Sequence, residues 1–158
     1  MRQLMILALF VGLISLPVRA QDFPKAEIFG GYQYTHFEGG VDANGWNASL
    51  AGNVNRWFGV AADFSGAYKS GDHVHTYMFG PVVSARSDKV TPFGHALFGG
   101  ASGGGMIAFA MAFGGGADVK VADKVAFRLI QGDWLVLRSE GYTSKKNARI
   151  STGIVFRF

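Results

Sequence analysis

The chain of 158 residues is long enough for one domain, and its formal charge of +4 falls to about +2 once Arg2 and Arg19 of the leading segment are set aside. It has no cysteine, which excludes disulfides, thiolate metal sites and cysteine nucleophiles; it also lacks a Lys/Arg cluster interleaved with aromatics, so no nucleic-acid partner is supported. Hydrophobic residues make up 49% and aromatics 14%, while charged residues are only 16% against about 25% in ordinary domains.

The first twenty residues, "MRQLMILALFVGLISLPVRA", start basic at Arg2, run apolar from Leu4 to Leu16 and end Val18-x-Ala20. That is the pattern of a cleaved signal peptide, and the run is short for a membrane-spanning helix. The working domain is expected over 21–158, exported and without a helical span. Eight segments with a period of two follow, separated by turn chemistry. "KAEIFGGYQYTH" sets Ile28, Tyr32 and Tyr34 against Glu27, Gln33 and Thr35. After a loop "FEGGVDANG", "WNASLAGNVN" sets Trp46, Ala48, Leu50 and Val54 against Asn47, Ser49, Ala51 and Asn53. A tight turn at Asn55-Arg56-Trp57 leads into "FGVAADFSGAY", where Phe58, Val60, Phe64 and Tyr68 oppose Asp63 and Ser65.

"KSGDHV" reads as the next loop, and the fourth strand, His75 to Arg86, sets Tyr77, Phe79 and Val83 against Thr76, Ser84 and Arg86. "PFGHALFGG" is apolar on both faces, so alternation cannot orient it; His95 is assigned inward. After the loop "ASGGG", Phe109, Met111 and Phe113 share one face of "AFAMAFGGGADVKV", and Gly114, Gly116, Asp118 and Lys120 share the other. In "VAFRLIQGDWLVLR", Phe127 and Leu129 oppose Arg128, but Gln131 and Asp133 oppose Trp134. Parity therefore slips near Ile130, as at a β-bulge. "SEGYTSKKN" reads as a last loop, and "ARISTGIVFRF" closes the chain with Arg149 on one face and Ile150, Ile154, Phe156 and Phe158 on the other.

Read this way, long connections after odd strands alternate with short ones after even strands, as in outer-membrane barrels. The face of small and charged groups suits the narrow interior of an eight-stranded barrel, and the aromatic and aliphatic face suits lipid. A soluble lipocalin-like ligand binder would invert those faces. The expected fold is all-β, an eight-stranded antiparallel up-and-down transmembrane β-barrel. Tyr34, Trp46, Tyr68 and Tyr77 fall near one membrane interface, and Trp57, Phe58, Phe93 and Phe158 near the other, as two aromatic girdles.

Glu27, Asp63, Arg86, Asp118, Arg128, Asp133 and Arg149 are expected to form a charge network in the lumen, paired because isolated burial of a charge is costly. His73 and His75 beside Asp72 could share a metal, but two imidazoles on a loop usually hold none, so no metal or cofactor is expected. His36 and His95 read as isolated hydrogen-bonding residues. No catalytic residue is expected, since neither His-x-Ser nor Gly-x-Ser-x-Gly occurs and the Gly-Gly-Gly runs lack the Lys and Ser/Thr of a phosphate loop. Tyr142, Lys145 and Lys146 would lie on a solvated loop, open to contact with lipopolysaccharide or a host surface.

Through "FGGYQY", "NVNRWFGVAADFSG", "VTPFGHALFGG" and "GGGADVKVADKVAFRLIQGDW" the chain resembles the outer membrane protein A-type small outer-membrane barrel, with Arg128, Gln131 and Asp133 matching its Arg-x-x-Gln-x-Asp segment in part. No peptidoglycan-binding domain is expected after Phe158, unlike in larger relatives of that type. The resemblance implies a monomer in the cell outer membrane of a Gram-negative-type envelope, in contact with lipid and lipopolysaccharide. Terminal Phe158 would be the signal read by the outer-membrane assembly machinery. Its role would be structural or at the surface with at most a narrow pore, or else loop-mediated adhesion or a small-solute channel.

Overall fold

A computed structural model describes residues 23–158; the expected signal peptide over 1–20 lies outside the described residues. Eight strands follow one another around a closed antiparallel barrel: β1 (Ala26–Phe37), β2 (Val41–Asn53), β3 (Phe58–Lys69), β4 (Asp72–Ser84), β5 (Val90–Gly103), β6 (Met106–Ala122), β7 (Val125–Ser139) and β8 (Tyr142–Arg157). Each pairs with its neighbours in sequence, and β8 pairs with β1 through ten residues, from Glu27 opposite Arg157 to His36 opposite Ala148. The Lys25 amide donates to the Phe158 carbonyl at 2.6 Å and the Phe158 amide to the Ala26 carbonyl at 2.9 Å, which ties the seam at the end carrying the termini. Closure satisfies every strand edge, the condition for placing β-structure in hydrocarbon.

The two faces separate cleanly. Ile28, Leu50, Val60, Phe79, Phe127, Ile150 and Ile154 stand exposed on the outside, while Gln33, Asn47, Asp63, Gln131, Asp133 and Arg149 are buried inside. From Ile28 to Tyr34 on β1, and at the matching outward positions of the other strands, the belt carries no Asp, Glu, Lys or Arg among the described residues. Six of the expected girdle residues outside β5 are exposed aromatics on this surface (Tyr34, Trp46, Trp57, Phe58, Tyr68 and Tyr77), as is Phe158. Tyr32 and Trp134 join them and were missed in the sequence.

Phe93 does not join them. It shares parity with His95 and Leu97, lines an internal cavity, and lies with its ring 4.2 Å from the Arg128 guanidinium. Both faces of β5 are apolar, so alternation carried no information there, and the orientation is set by pairing with β4 and β6.

The expected alternation of long and short connections is also corrected. At the far end from the termini the strands join through residues 38–40, 70–71, 104–105 and 140–141; at the terminal end they join through 54–57, 85–89 and 123–124. The far-end turns are tight because Ser70 and Gly71, at φ 48° and 93°, and Gly104 and Gly105, at 57° and 78°, take the left-handed backbone that two-residue hairpins require. The segments read as loops are strand extensions instead. Where both faces of a ribbon meet water, side-chain polarity no longer alternates, yet the backbone ladder continues.

Candidate functional site

The lumen is the site that this fold builds. All seven charged residues expected there point inward, and the pairing register makes them one chain of contacts. At the terminal end Glu27 accepts from Arg86 Nη2 at 2.7 Å and from Arg157 Nε at 2.8 Å. Arg157 also reaches Asp118 at 3.5 Å, and Asp118 accepts from Arg128 Nε at 2.8 Å. Arg128 Nη1 donates to Gln131 Oε1 at 2.6 Å, and Gln131 Nε2 donates to Asp133 Oδ2 at 2.8 Å. Asp133 is also met by His95 Nε2 at 2.7 Å and by Arg149 Nε at 2.7 Å, and Arg149 Nη1 donates to Asp63 Oδ1 at 2.7 Å. Asn47 Nδ2 completes the series on Asp63 at 3.0 Å.

The bulge makes the middle of this series possible. Between Arg128 and Gln131 the β7–β8 register shifts, and Leu129 and Ile130 both turn outward, 54% and 52% exposed. Strict alternation would send Gln131 and Asp133 to lipid. With one extra residue Arg128, Gln131 and Asp133 all face the lumen, so the parity slip visible in the sequence is the device that assembles the network. Arg128 is held flat between Phe29 and Phe93, with guanidinium-to-ring distances of 4.3 and 4.2 Å. This stacking favours a cation in a water-poor interior.

The remaining wall is apolar. Ala61, Met78, Val82, Leu97, Ala101, Ala110, Ala112 and Leu135 form one buried cluster contributed by β3 to β7. The interior is thus divided, with charge and amides concentrated along β7, β8, β1 and β2 and reaching Asp63 on β3, His95 on β5 and Asp118 on β6, and with hydrocarbon gathered in the cluster from β3 to β7. Across it Gln33, Met78, Leu97, Ala112 and Arg149 are none more than 1% exposed, so side chains fill the section. Below lies a water-sized cavity of about 40 Å³ touching Phe29, Asp63, Phe93, His95 and Arg128. At the terminal end a vestibule of about 550 Å³ opens between Arg86, Asp88, Lys120, Lys124 and Arg157.

At the far end Asn147, 1% exposed, caps the lumen: its Oδ1 accepts from the Glu38 amide at 2.8 Å and its Nδ2 donates to the Leu135 carbonyl at 3.2 Å. Glu38 Oε2 accepts from the Lys145 amide at 3.0 Å, joining the β1–β2 turn to β8. The Ser144 hydroxyl and the Lys145 amide hold the Glu38 carboxyl below its ordinary range. Tyr142, Lys145 and Lys146 are exposed on the extended part of β8. His73 and His75 lie on β4 with ring centroids 5.2 Å apart, and among the described residues no group of three or more metal-ligating side chains occurs.

Sequence reasoning placed the charged residues inside through alternation. It missed the part played by Phe29 and Phe93 as a clamp and Asn147 as a cap. Phe29 shares parity with Glu27 and Gln33, a signal that could have found it.

No protein family's sequence profile and no curated protein matches the chain. Solved structures do. Neisserial surface protein A aligns over 84% of this chain and 96% of its own, with a TM-score of 0.66 at 11% identity. The amino-terminal β-barrel domain of OprF from Pseudomonas aeruginosa covers 87% and 100%, at 0.64 and 9%. Ail, the attachment invasion locus protein of Yersinia pestis, covers 86% and 99%, at 0.57 and 15%. The chain has the fold of the small eight-stranded outer-membrane β-barrels, a closed antiparallel transmembrane barrel.

Proposed function

We propose that this protein is an exported, non-enzymatic component of a bacterial outer membrane, with a structural or surface role and at most a narrow pore. The observation that carries the reading is the filled lumen: paired charges and a packed apolar cluster occupy its section, and the cavity beside Phe29, Phe93 and Arg128 is water-sized. Each luminal carboxylate is engaged by an arginine, the arrangement expected of a structural interior rather than of a group held free for chemistry. The partners implied are membrane lipid and lipopolysaccharide around the belt and the assembly machinery at Phe158. Adhesion through long loops has little to act through, because the far-end connections are two or three residues long.

A narrow solute channel is the second reading, and one observation favours it. Gln33 Oε1, Thr35 Oγ1, Asn47 Oδ1 and Ser151 Oγ are buried without a hydrogen-bond partner along β8, β1 and β2. Water threading that seam would satisfy them. Planar-bilayer recording of the refolded 21–158 chain separates the two readings. The structural reading expects no resolvable steps from the wild type, and small steps from Arg128→Ala, which empties the slot between Phe29 and Phe93. Large steady conductance in the wild type would overturn it.

A further inference from the structure

The apolar belt is not the same height around the barrel. On β6 every outward position from Ile107 to Val121 is apolar or glycine. At about 3.3 Å per residue and a strand tilt of about 40°, that run stands about 35 Å tall, against about 25 Å for a typical belt. On β1 the outward apolar run goes from Ala26 to Tyr34 before His36, and on β2 from Val54 to Trp46 before Asn44 and Asp42, each about 20 Å by the same measure. In a closed ring of eight, β1–β2 stand diametrically opposite β5–β6.

Two further observations agree. The far-end girdle of Tyr and Trp is interrupted over β5–β6, which contain neither residue, and the hairpin tip there carries Met106 and Ile107 at 71% and 74% exposed. The other far-end tips carry Glu38, Ser70 and Glu140. At the terminal end the asymmetry reverses. The turns flanking β5–β6 are charged, with Asp88 and Lys89 in one and Asp123 and Lys124 in the other. The β2–β3 turn on the opposite side instead exposes Val54 and Trp57 at 65% and 52%. Its one charge, Arg56, lies 5.0 Å over the Trp57 ring.

We propose that the tip of the β5–β6 hairpin, Gly103 to Ile107, is a lipid-contacting surface, and that the barrel leans toward β5–β6 so that this corner sinks into the bilayer. A leaning cylinder lowers one whole side and raises the other. It buries Met106 and Ile107 at one end and pushes Asp88, Lys89 and Lys124 into water at the other, while on the far side it draws Val54 and Trp57 toward hydrocarbon. The occupant is lipid because along β6 the tip continues the lipid-facing belt without a charge between them. The cation beside that path, Arg138 opposite Phe109 on β7, has a stem long enough to carry its charge to the interface. Unequal apolar heights are accommodated by tilt and local adjustment of the bilayer.

This inference rests on the bilayer placement proposed above, and the test keeps the two apart. The chain has no cysteine, so single variants Ile107→Cys, Ser70→Cys, Glu140→Cys and Phe98→Cys can each be labelled with a polarity-sensitive fluorophore. Each is refolded into phosphatidylcholine–phosphatidylglycerol vesicles and exposed to iodide. The expected result is a blue-shifted emission and loss of iodide quenching at Ile107→Cys, as at Phe98→Cys, with full quenching at Ser70→Cys and Glu140→Cys. Quenching at Ile107→Cys beside a protected Phe98→Cys would mean an upright barrel and overturn the lean alone. Quenching at Phe98→Cys as well would overturn the bilayer placement and the lean with it. Protection of Ile107→Cys only at high protein-to-lipid ratio would assign the tip to a second copy of the chain and overturn the lipid contact.

Discussion

Arg149 is the largest fully buried side chain of the described residues, and it bridges two carboxylates that have little water to turn to. Removing it leaves Asp63 and Asp133 face to face in the interior. Breaking a buried pair in this way costs about 3–5 kcal/mol. Arg149→Met should therefore lower the urea midpoint of the refolded barrel sharply, and adding Asp63→Asn and Asp133→Asn should restore most of it, because neutral amides no longer need the cation. Glu38, in the turn outside the spanning strands, reports on pH. Its carboxyl is held below the ordinary range by the Ser144 hydroxyl and the Lys145 amide, so the folded state binds its proton less readily than the unfolded chain. That contribution is fully present above the ordinary carboxylate range and is lost as pH falls through the depressed value. The protection of the Lys145 amide against hydrogen exchange, taken relative to its intrinsic rate at each pH, should fall on acidification through that window, and Glu38→Gln should remove that change in protection.

At the scale of the strand, the decisive contacts lie where backbones approach too closely for a side chain. On the β1–β8 seam Gly31 stands opposite Gly153, and a Cβ on Gly153 would lie 2.3 Å from the Gly30 carbonyl oxygen and 2.5 Å from Gly31 Cα. These are main-chain atoms that cannot swing aside. Gly153→Val should cost about 3 kcal/mol, the upper part of the overpacking range, and should slow closure of the barrel. Gly30→Ala on the outer face meets nothing within 4 Å and is the matched control, expected to refold as the wild type does. Kinetics of the mobility shift on unboiled gels would read both. The bulge in β7 is the second strand-level device, since it alone lets Arg128 and Asp133 face the same lumen.

For the whole molecule, the ladder of hydrogen bonds closes on itself, and the cross-section is filled from both walls. Such a barrel should resist detergent until heated. The refolded 21–158 chain is expected to migrate differently on gels before and after boiling, with a β-type circular dichroism spectrum only while unboiled. A chain that folded in water without detergent would invert the assignment of faces.

Much of this was legible in the residues themselves. Alternation placed Asp63, Asp118, Arg128, Asp133 and Arg149 inside and Ile28, Leu50 and Phe156 outside, because a strand's period of two is a local property that needs no partner. The aromatics expected at the interfaces stand exposed on the outer surface, Phe93 apart, and the slip near Ile130 announced the bulge. What only the tertiary structure decided are the matters that depend on which strand lies beside which. Phe93 could not be oriented while both faces of β5 were apolar; pairing turned it inward against Arg128. The polar segments after the first and third strands looked like loops because alternation vanishes where both faces meet water, and only the backbone ladder shows that they are strand. The pairs Arg149–Asp63 and Glu27–Arg86, 86 and 59 residues apart in the chain, exist because the sheet closes. Facing is a local property and can be read along the chain, whereas pairing, filling and closure belong to the whole barrel.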